Sequence, residues 1–264
     1  MQVAIVGGGV MGEAMLAAAL ERGIFVAADV TIAEILEPRR EELRAAYGVS
    51  VVPTPGEATG TADLVVLSVK PQDAKSARGS LKPGALLLSV MAGVRLATLT
   101  ADFAHPNVVR VMPNTPVAAK AGMSVWTATA EVTAEQRRTT QSLLESFGRE
   151  IYVEDEKKID MATALSGSGP AYVFLVIEAM VEGGVAVGLP RAQAQEMAIQ
   201  TVLGSALYAQ ESGRDPAVLR GQVTSPAGTT AAGLLELEKG ALRATIIKAI
   251  RAAHRRAVEL GGPA

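Results

Sequence analysis

The sequence predicts an α/β fold, with a doubly wound parallel sheet in the N-terminal part followed by an all-helical C-terminal domain. Strand and helix patterns alternate over residues 2–153, which is typical of repeated βα units. Two continuous apolar runs, Asp63–Val69 and Ala85–Val90, indicate strands buried on both faces. Beyond residue 158 only helical periodicity remains. We therefore expect two domains, 1–155 and 156–264.

Glycine and proline mark the ends of the N-terminal elements. A strand at Gln2–Val6 precedes a helix at Met11–Arg22, which Gly23 can close. The helix at Pro38–Tyr47 ends in the same way, at Gly48. The remaining N-terminal elements are strands at Thr31–Leu36, Val108–Val111, Met123–Thr127 and Glu150–Val153, and a helix at Thr133–Phe147.

Ala- and Leu-rich segments predict the C-terminal helices. Pro190, Pro216 and Pro226 lie near first-turn positions, where proline is tolerated because its missing N–H would be unpaired anyway. The helices are expected near residues 157–165, 170–187, 191–211, 227–238 and 241–260.

Composition narrows the class of protein. Of 264 residues 49% are hydrophobic and 20% charged, which predicts a well-buried globular core, and a net charge of −2 argues against nucleic acid as a partner. The absence of cysteine excludes disulfides, thiolate catalysis and cysteine zinc sites, and we expect no metal. No leader peptide is visible, and the longest apolar run, Ala171–Met180, contains Glu178. We therefore expect a cytoplasmic protein without a membrane partner.

The loop after the first strand carries the first chemical signal. Gly7-x-Gly9-x-x-Gly12 follows a strand and opens a helix, the context in which this spacing binds the pyrophosphate of a dinucleotide. The N-terminal domain is therefore predicted to be of Rossmann type. An acidic residue after the second strand binds the ribose 2′-hydroxyl, whereas a nearby arginine accommodates a 2′-phosphate. Glu37 stands near that position and Arg39 and Arg40 follow it, so the choice between NADPH and NADH stays open.

Two further segments have a functional and a purely structural interpretation. Lys70, at the end of a buried strand, lies where a cofactor would bind, but a surface lysine before a proline turn is equally expected. In "VTSPAGTT" (223–230), Pro226 suits a first helical turn with Thr224 or Ser225 as the N-cap. The unpaired amides of that turn would suit a carboxylate, although a simple capped helix start explains the segment as well.

The two histidines, His105 and His254, have no carboxylate partner in an obvious motif, and we expect both at the surface.

Seven motifs together resemble one known family, pyrroline-5-carboxylate reductase. They occur in the family's order across nearly the whole chain, and the last three are far more specific than the glycine loop. The motifs are "GGGVMG", "VKPQ", "AGV", "VRVMPNTP", "LSGSGPAYVF", "GLPR" and "VTSPAGTT".

The resemblance implies reduction of the cyclic imine 1-pyrroline-5-carboxylate to L-proline, usually with NADPH. It implies a helical domain that forms a homodimer, with dimers commonly assembled into larger oligomers. Thr230 matches the residue thought to hydrogen-bond the ring nitrogen, and Val223, Gly228 and Thr229 match the substrate site. Cofactor contacts are implied at Val10, Met11, Val69, Lys70, Pro71, Ala92 and, unless it only forms a turn, Asn114.

The chain departs from the family pattern at a few positions. Where the family usually has Pro-Gly-Gly, this chain has Ala227 in place of the first glycine, and Gln222 stands where the family often has an asparagine. The family often has another asparagine near the ribose of the cofactor, and the nearest position in this chain is Pro55. A related class, the β-hydroxyacid dehydrogenases, carries a catalytic lysine where this chain has Val173. A non-catalytic nucleotide sensor is a further alternative, and the hydroxyl groups at 224–230 argue against it.

An iminium ion accepts hydride without a strong general acid, because the product is a neutral amine. The site has to orient the two reactants and place hydrogen-bonding groups. A segment of hydroxyl groups and backbone amides is therefore sufficient for this reaction.

Overall fold

The computed structural model describes residues 1–262 and divides the chain into two compact units. The first contains Met1–Ser168 together with the C-terminal residues from Ala252 onward, and the second contains Gly169–Arg251.

The first unit is built on one eight-stranded sheet. Its spatial order is β3-β2-β1-β4-β5-β6-β7-β8, in which the first six positions have the Rossmann order. All neighbours are parallel except β6 and β7, so the α/β prediction is confirmed with one antiparallel pair added. The strands are β1 Val3–Val6, β2 Val30–Ala33, β3 Ser50–Val52, β4 Leu64–Leu67, β5 Leu86–Ser89, β6 Val108–Met112, β7 Gly122–Ala128 and β8 Gly148–Tyr152.

Apolar residues on both faces of the sheet form the core of this unit. In the register of β1, Val3 lies between Val30 and Leu64, and all three are buried. Strands covered on both faces read as continuous apolar runs, which is why β4 and β5 were recognisable from sequence. The helices of this unit are α1 Val10–Glu21, α2 Glu37–Tyr47, α3 Pro55–Thr59, α4 Leu96–Phe103, α5 Ala134–Glu145 and α6 Lys157–Ala162.

The buried polar side chains of this unit include Arg110 and His105. Arg110 of β6 is 1% exposed and binds Glu156 at 2.9 Å and Asp160 at 2.8 Å, which ties the strand to α6. His105 is 5% exposed, with Nε2 2.6 Å from the Ala85 carbonyl oxygen. The expected surface position of His105 is therefore wrong, because its partner Ala85 lies 20 positions away in the chain and no local motif indicates the contact.

The second unit is helical. Its helices are α7 Gly169–Ala186, α8 Arg191–Ser212, α9 Pro216–Gln222, α10 Thr229–Lys239 and α11 Leu242–Leu260, the last of which extends into the first unit. A π-helical turn at Thr163–Gly167 joins α6 to α7. The buried apolar cluster of the second unit, within the described residues, contains Val181, Ala194 and Ala198.

The helical segment Lys157–Ala186 is long and apolar enough to cross a membrane by length and composition alone. Its most apolar window has a mean hydropathy of 1.4. The test accepts up to two charged residues in an 18-residue window, whereas the sequence-based expectation considered uninterrupted apolar runs. Core helices of water-soluble proteins pass the same test, so length and composition alone do not identify a membrane span.

Candidate cofactor and substrate sites

Two of the three motif glycines are required by the packing of the loop itself. Gly7 has a φ of +102°, and a Cβ there would lie 2.7 Å from the Ser68 carbonyl oxygen. A Cβ at Gly12 would collide with the Gly7 carbonyl oxygen. Side chains at these two positions would force β1, β4 and α1 apart.

Gly9 has a different role, because a Cβ added there would meet no atom within 4 Å. It is the N-cap of α1 in an extended conformation, and its carbonyl oxygen accepts the Glu13 N–H at 2.9 Å. The backbone N–H groups of the first turn point out of the helix unpaired, which favours an anion. Gly9 thus leaves open space at a helix N-terminus, as a bound pyrophosphate requires.

A cleft of about 430 Å³ lies beside this loop, at the carboxyl ends of β1, β2 and β4. In open α/β sheets this edge is where ligands bind. The structure brings together four of the residues expected to bind the cofactor, Gly7, Gly9, Val69 and Lys70. Val10, Met11 and Gly12 form the first turn of α1, Pro71 begins a 3₁₀ turn after Lys70, and Ala92 follows β5.

The acidic residue at the end of β2 is Glu34, which the sequence analysis missed. It lines the cleft, and its carboxylate accepts the N–H groups of Gly8 and Leu36, each at 3.0 Å. Glu37, predicted for this position, instead begins α2 and pairs with Arg40 and Arg44. The predicted strand ran to Leu36 whereas β2 ends at Ala33, and this shift misplaced the acidic residue.

Arg39 and Arg40, the two arginines expected near a 2′-phosphate, are both held by other groups of the protein. Arg39 donates to the Gly8 carbonyl oxygen at 2.9 Å and pairs with Glu42 and Glu13, and hydrogen bonds to these two carboxylates raise the pKa of Arg39. Arg40 donates to the carbonyl oxygens of Glu34 and Ile35 at 2.9 and 2.8 Å. Neither arginine is among the residues that line the cleft, and the expected contact of one of them with a 2′-phosphate stays a prediction.

The carboxylate of Glu13 extends this network to Tyr47. The Tyr47 hydroxyl donates to Glu13 Oε1 at 3.0 Å. Partial burial and this hydrogen bond raise the pKa of Tyr47. Glu13, Arg39 and Tyr47 thereby link α1 to α2 behind the glycine loop.

Asn114 uses its carboxamide within the protein. Its Nδ2 donates to the Ser166 carbonyl oxygen at 3.0 Å, and its Oδ1 accepts the Met123 N–H at 2.9 Å. The amide thus connects the β6–β7 turn with the π-helical turn at Thr163–Gly167. This arrangement favours the turn-forming alternative for Asn114.

The segment 223–230 starts a helix later than the sequence suggested. Gly228, rather than Thr224 or Ser225, is the N-cap of α10, and Pro226 lies in the turn before it. Thr224 Oγ1 donates instead to the Arg220 carbonyl oxygen at 2.6 Å. Ala227 takes a left-handed φ of +58°, the conformation for which glycine is favoured.

The first turn of α10 offers unpaired polar groups. Among the described residues, no acceptor pairs with the N–H groups of Thr229, Thr230 and Ala231; the first helical bond runs from the Ala232 N–H to the Gly228 carbonyl oxygen at 3.2 Å. The hydroxyls of Thr229 and Thr230 likewise form no hydrogen bond within residues 1–262, and Val223 is exposed. Part of the predicted substrate set is thus chemically available, in the second unit. Residues 1–262 contain no group of three or more His, Asp or Glu residues placed to hold a metal.

Two family models match the chain, one in each part. A model described as pyrroline-5-carboxylate reductase dimerisation matches residues 156–260, and one described as NADP oxidoreductase coenzyme F420-dependent matches residues 2–93.

Full-length relatives agree with these models. The chain is 42% identical to pyrroline-5-carboxylate reductase of Synechocystis sp. over 99% of its own length and 98% of the relative's, and 40% identical to that of Arabidopsis thaliana over 98% and 95%. The solved enzyme of Coxiella burnetii superposes with a TM-score of 0.90 at 32% identity, covering 99% of both chains. That of Plasmodium falciparum, solved with NADP bound, gives 0.89 at 28% identity, covering 99% and 98%. The chain belongs to the pyrroline-5-carboxylate reductase family, oxidoreductases that complete proline biosynthesis with NAD(P)H.

Proposed function

We propose that this chain reduces the imine of 1-pyrroline-5-carboxylate to L-proline, with a cofactor site in the first unit and a substrate site in the second. The observation that carries the proposal is the first turn of α10, where unpaired amides and the free hydroxyls of Thr229 and Thr230 are found together. When bound, NAD(P)H supplies the hydride.

The glycine loop holds the cofactor in this proposal. The amides of the first turn of α1, reached past Gly9, bind the pyrophosphate, and Gly7 and Gly12 keep the loop close to the sheet. Glu34, Val69 and Lys70 line the cleft beside that loop. The remaining proposed contacts, at Val10, Met11, Pro71 and Ala92, come from the family motifs.

The first turn of α10 holds the substrate carboxylate. Its N–H groups at Thr229 and Thr230 carry the positive end of the helix dipole, which favours an anion. A Cβ at Gly228 would collide with Ser225 Oγ, and Val223, earlier in the segment, exposes its apolar side chain. Thr230 then hydrogen-bonds the imine nitrogen and orients the carbon that accepts hydride.

The test is Thr230→Val, which removes the hydroxyl and keeps the shape of the side chain. We expect kcat to fall by about 10- to 100-fold, the cost of one hydrogen bond in a buried site of about 1–3 kcal/mol, with cofactor affinity unchanged. NADPH or NADH oxidation on addition of 1-pyrroline-5-carboxylate is followed by absorbance.

The matched control is Thr139→Val on α5, where the hydroxyl donates to the Glu135 carbonyl oxygen at 3.2 Å, outside both proposed sites. The role of Thr230 is refuted if both variants keep the wild-type kcat. A wild-type protein that binds cofactor but oxidises none would refute the reductase function and favour a nucleotide sensor.

We further propose that the protein is a cytoplasmic homo-oligomer whose functional domains are 1–155 and 156–264. The dimerisation model matched to residues 156–260 supports the second domain as the contact between subunits. The exposed apolar residues of α7 and α8 support the same assignment.

A further inference from the structure

The loop between β5 and α4, residues 90–95, lies at the same edge of the sheet as the cofactor cleft. The cleft occupies the carboxyl ends of β1, β2 and β4, and β5 is the next strand of the sheet. A dinucleotide spans the crevice between the two halves of such a sheet, so the nicotinamide half of the cofactor would extend towards this loop. Ala92, one of the proposed cofactor contacts, lies within the loop.

The end of α11 packs against this loop, within the same compact unit. Gly93 has a φ of +75°, and a Cβ there would lie 3.1 Å from Leu260 Cβ and 3.3 Å from the Leu260 carbonyl oxygen. Backbone conformation and space therefore both favour glycine at position 93. Nη2 of Arg95 donates to the Gly262 carbonyl oxygen at 3.0 Å, and a Cβ at Gly261 would lie 3.1 Å from Arg95 Nε.

The two ends of the loop are anchored to the sheet and to α6. The Val90 N–H donates to the Leu67 carbonyl oxygen of β4 at 3.0 Å. At the other end, the Leu96 N–H donates to Glu156 Oε1 at 2.8 Å, and the same oxygen binds the buried Arg110 at 2.9 Å. The part of the loop between these anchors is held by its contacts with the end of α11.

We propose that Arg95 is a positioning residue: its hydrogen bond to the end of α11 holds the loop 90–95 where Ala92 can contact the nicotinamide half of NADPH. Arg95 acts through the loop and does not itself touch the cofactor. Its guanidinium is planar and remains charged, so it can hold a backbone carbonyl in one direction. This inference deepens the proposed function and rests on it, but its first test concerns binding and needs no turnover.

The first experiment compares NADPH with 2′,5′-ADP, which lacks the nicotinamide half, by calorimetric titration of the wild-type protein and of Arg95→Ala. We expect Arg95→Ala to bind NADPH about tenfold more weakly, the scale of one lost hydrogen bond. The dissociation constant of 2′,5′-ADP should change by less than about twofold, because the adenosine half binds on the other side of the crevice. Equal losses for the two ligands would indicate a general structural role and overturn the proposal, as would unchanged NADPH binding.

The matched control is Arg256→Ala, which removes an arginine from the same end of α11. Arg256 pairs with Glu259 at 2.9 Å, and both side chains are exposed. We expect this variant to bind NADPH and 2′,5′-ADP as the wild-type protein does. A selective loss of NADPH binding in Arg256→Ala as well would show that the effect does not come from the contact between Arg95 and Gly262.

A second variant, Gly261→Ala, tests the same contact without removing Arg95. It adds a methyl group 3.1 Å from Arg95 Nε, and the φ of Gly261 is not positive, so the backbone accepts alanine. We expect it also to weaken NADPH more than 2′,5′-ADP, and it decides the question if Arg95→Ala fails to fold. Equal binding of both ligands to Gly261→Ala and to the wild-type protein would then overturn the proposal.

Turnover separates this inference from the proposed function. Arg95→Ala should lower kcat by about tenfold, because a misplaced nicotinamide is poorly aligned for hydride transfer. If Arg95→Ala loses NADPH binding selectively but the wild-type protein does not oxidise NADPH with 1-pyrroline-5-carboxylate, the reductase function fails and the role of Arg95 stands. If the wild-type protein turns over and Arg95→Ala binds NADPH and reacts as it does, the role of Arg95 fails and the function stands.

Discussion

Ala227 is in the left-handed backbone region, with a φ of +58°, in the turn that leads into α10. A non-glycine residue pays about 1–2 kcal/mol for this conformation, because its Cβ approaches the following carbonyl oxygen. Ala227→Gly removes that strain but adds freedom to the unfolded chain, which costs about 0.4–1 kcal/mol. We expect a net gain in unfolding free energy of up to about 1 kcal/mol, measured from the urea midpoint at fixed protein concentration.

The matched control for this change is Ala232→Gly, in the exposed first half of α10. There the backbone is helical and glycine should cost about 1 kcal/mol. The two variants should therefore shift the urea midpoint in opposite directions. A loss of stability in both would show that residue 227 is not strained.

The positions of candidate cofactor-binding residues were predictable where a motif fixes both residue type and spacing. Gly7 and Gly9 belong to such a motif, and the structure places both at the cleft. Glu34 was missed because assigning it requires the last residue of β2, and Glu37 lies only three positions away. Pro38 favours a helix that begins at Glu37, and this could have shown that Glu37 belongs to α2. Glu34 is then the acidic residue nearest to the end of β2.

The Arg110 side chain links two elements, β6 and α6. It is buried, with Glu156 and Asp160 as partners, and Glu156 Oε1 also accepts the Leu96 N–H at 2.8 Å. One side chain thus ties the sheet to α6 and, through Glu156, to the start of α4. Buried pairs add little net stability compared with apolar residues, but removal of one partner leaves a charge uncompensated.

The substitution Asp160→Asn tests the contribution of the Arg110–Asp160 ion pair to stability. We expect it to lower the unfolding free energy by about 3–5 kcal/mol, because the buried Arg110 would lose its buried carboxylate partner and keep only the partly exposed Glu156. Asp102→Asn, which breaks the more exposed pair with Arg78, should cost less than about 1 kcal/mol. Urea unfolding of both variants at one protein concentration gives the two free energies of unfolding. Equal losses of stability would contradict a stabilising role for the buried Arg110–Asp160 pair.

Elements with a continuous apolar run or a helical period were predictable from sequence, whereas short elements with neither pattern were not. Strands β4 and β5 read as uninterrupted apolar runs, whereas β3 has three residues and α3 has five. Strand direction was also hidden: β7 pairs antiparallel to β6, and nothing in its own pattern distinguishes the two directions. Such pairing depends on how the chain returns to the sheet edge rather than on local propensity.

The helical unit has too little buried apolar surface for its length. Its buried cluster consists of Val181, Ala194 and Ala198, whereas Phe174 and Leu175 are 61% and 65% exposed. Exposed apolar surface on this scale marks an interface. In the proposed homo-oligomer, a second copy of the chain would also cover the apolar helical segment Lys157–Ala186.

Assembly through this unit can be measured directly. We expect light scattering at micromolar concentration to give at least twice the chain mass of 27.3 kDa. Leu203→Glu, at a half-exposed site on α8, should weaken the assembly, because a carboxylate would be buried without a partner. Ser142→Glu places the same charge on exposed α5 and should leave the mass unchanged. A wild-type monomer would contradict the interface and leave the exposed apolar helices unexplained.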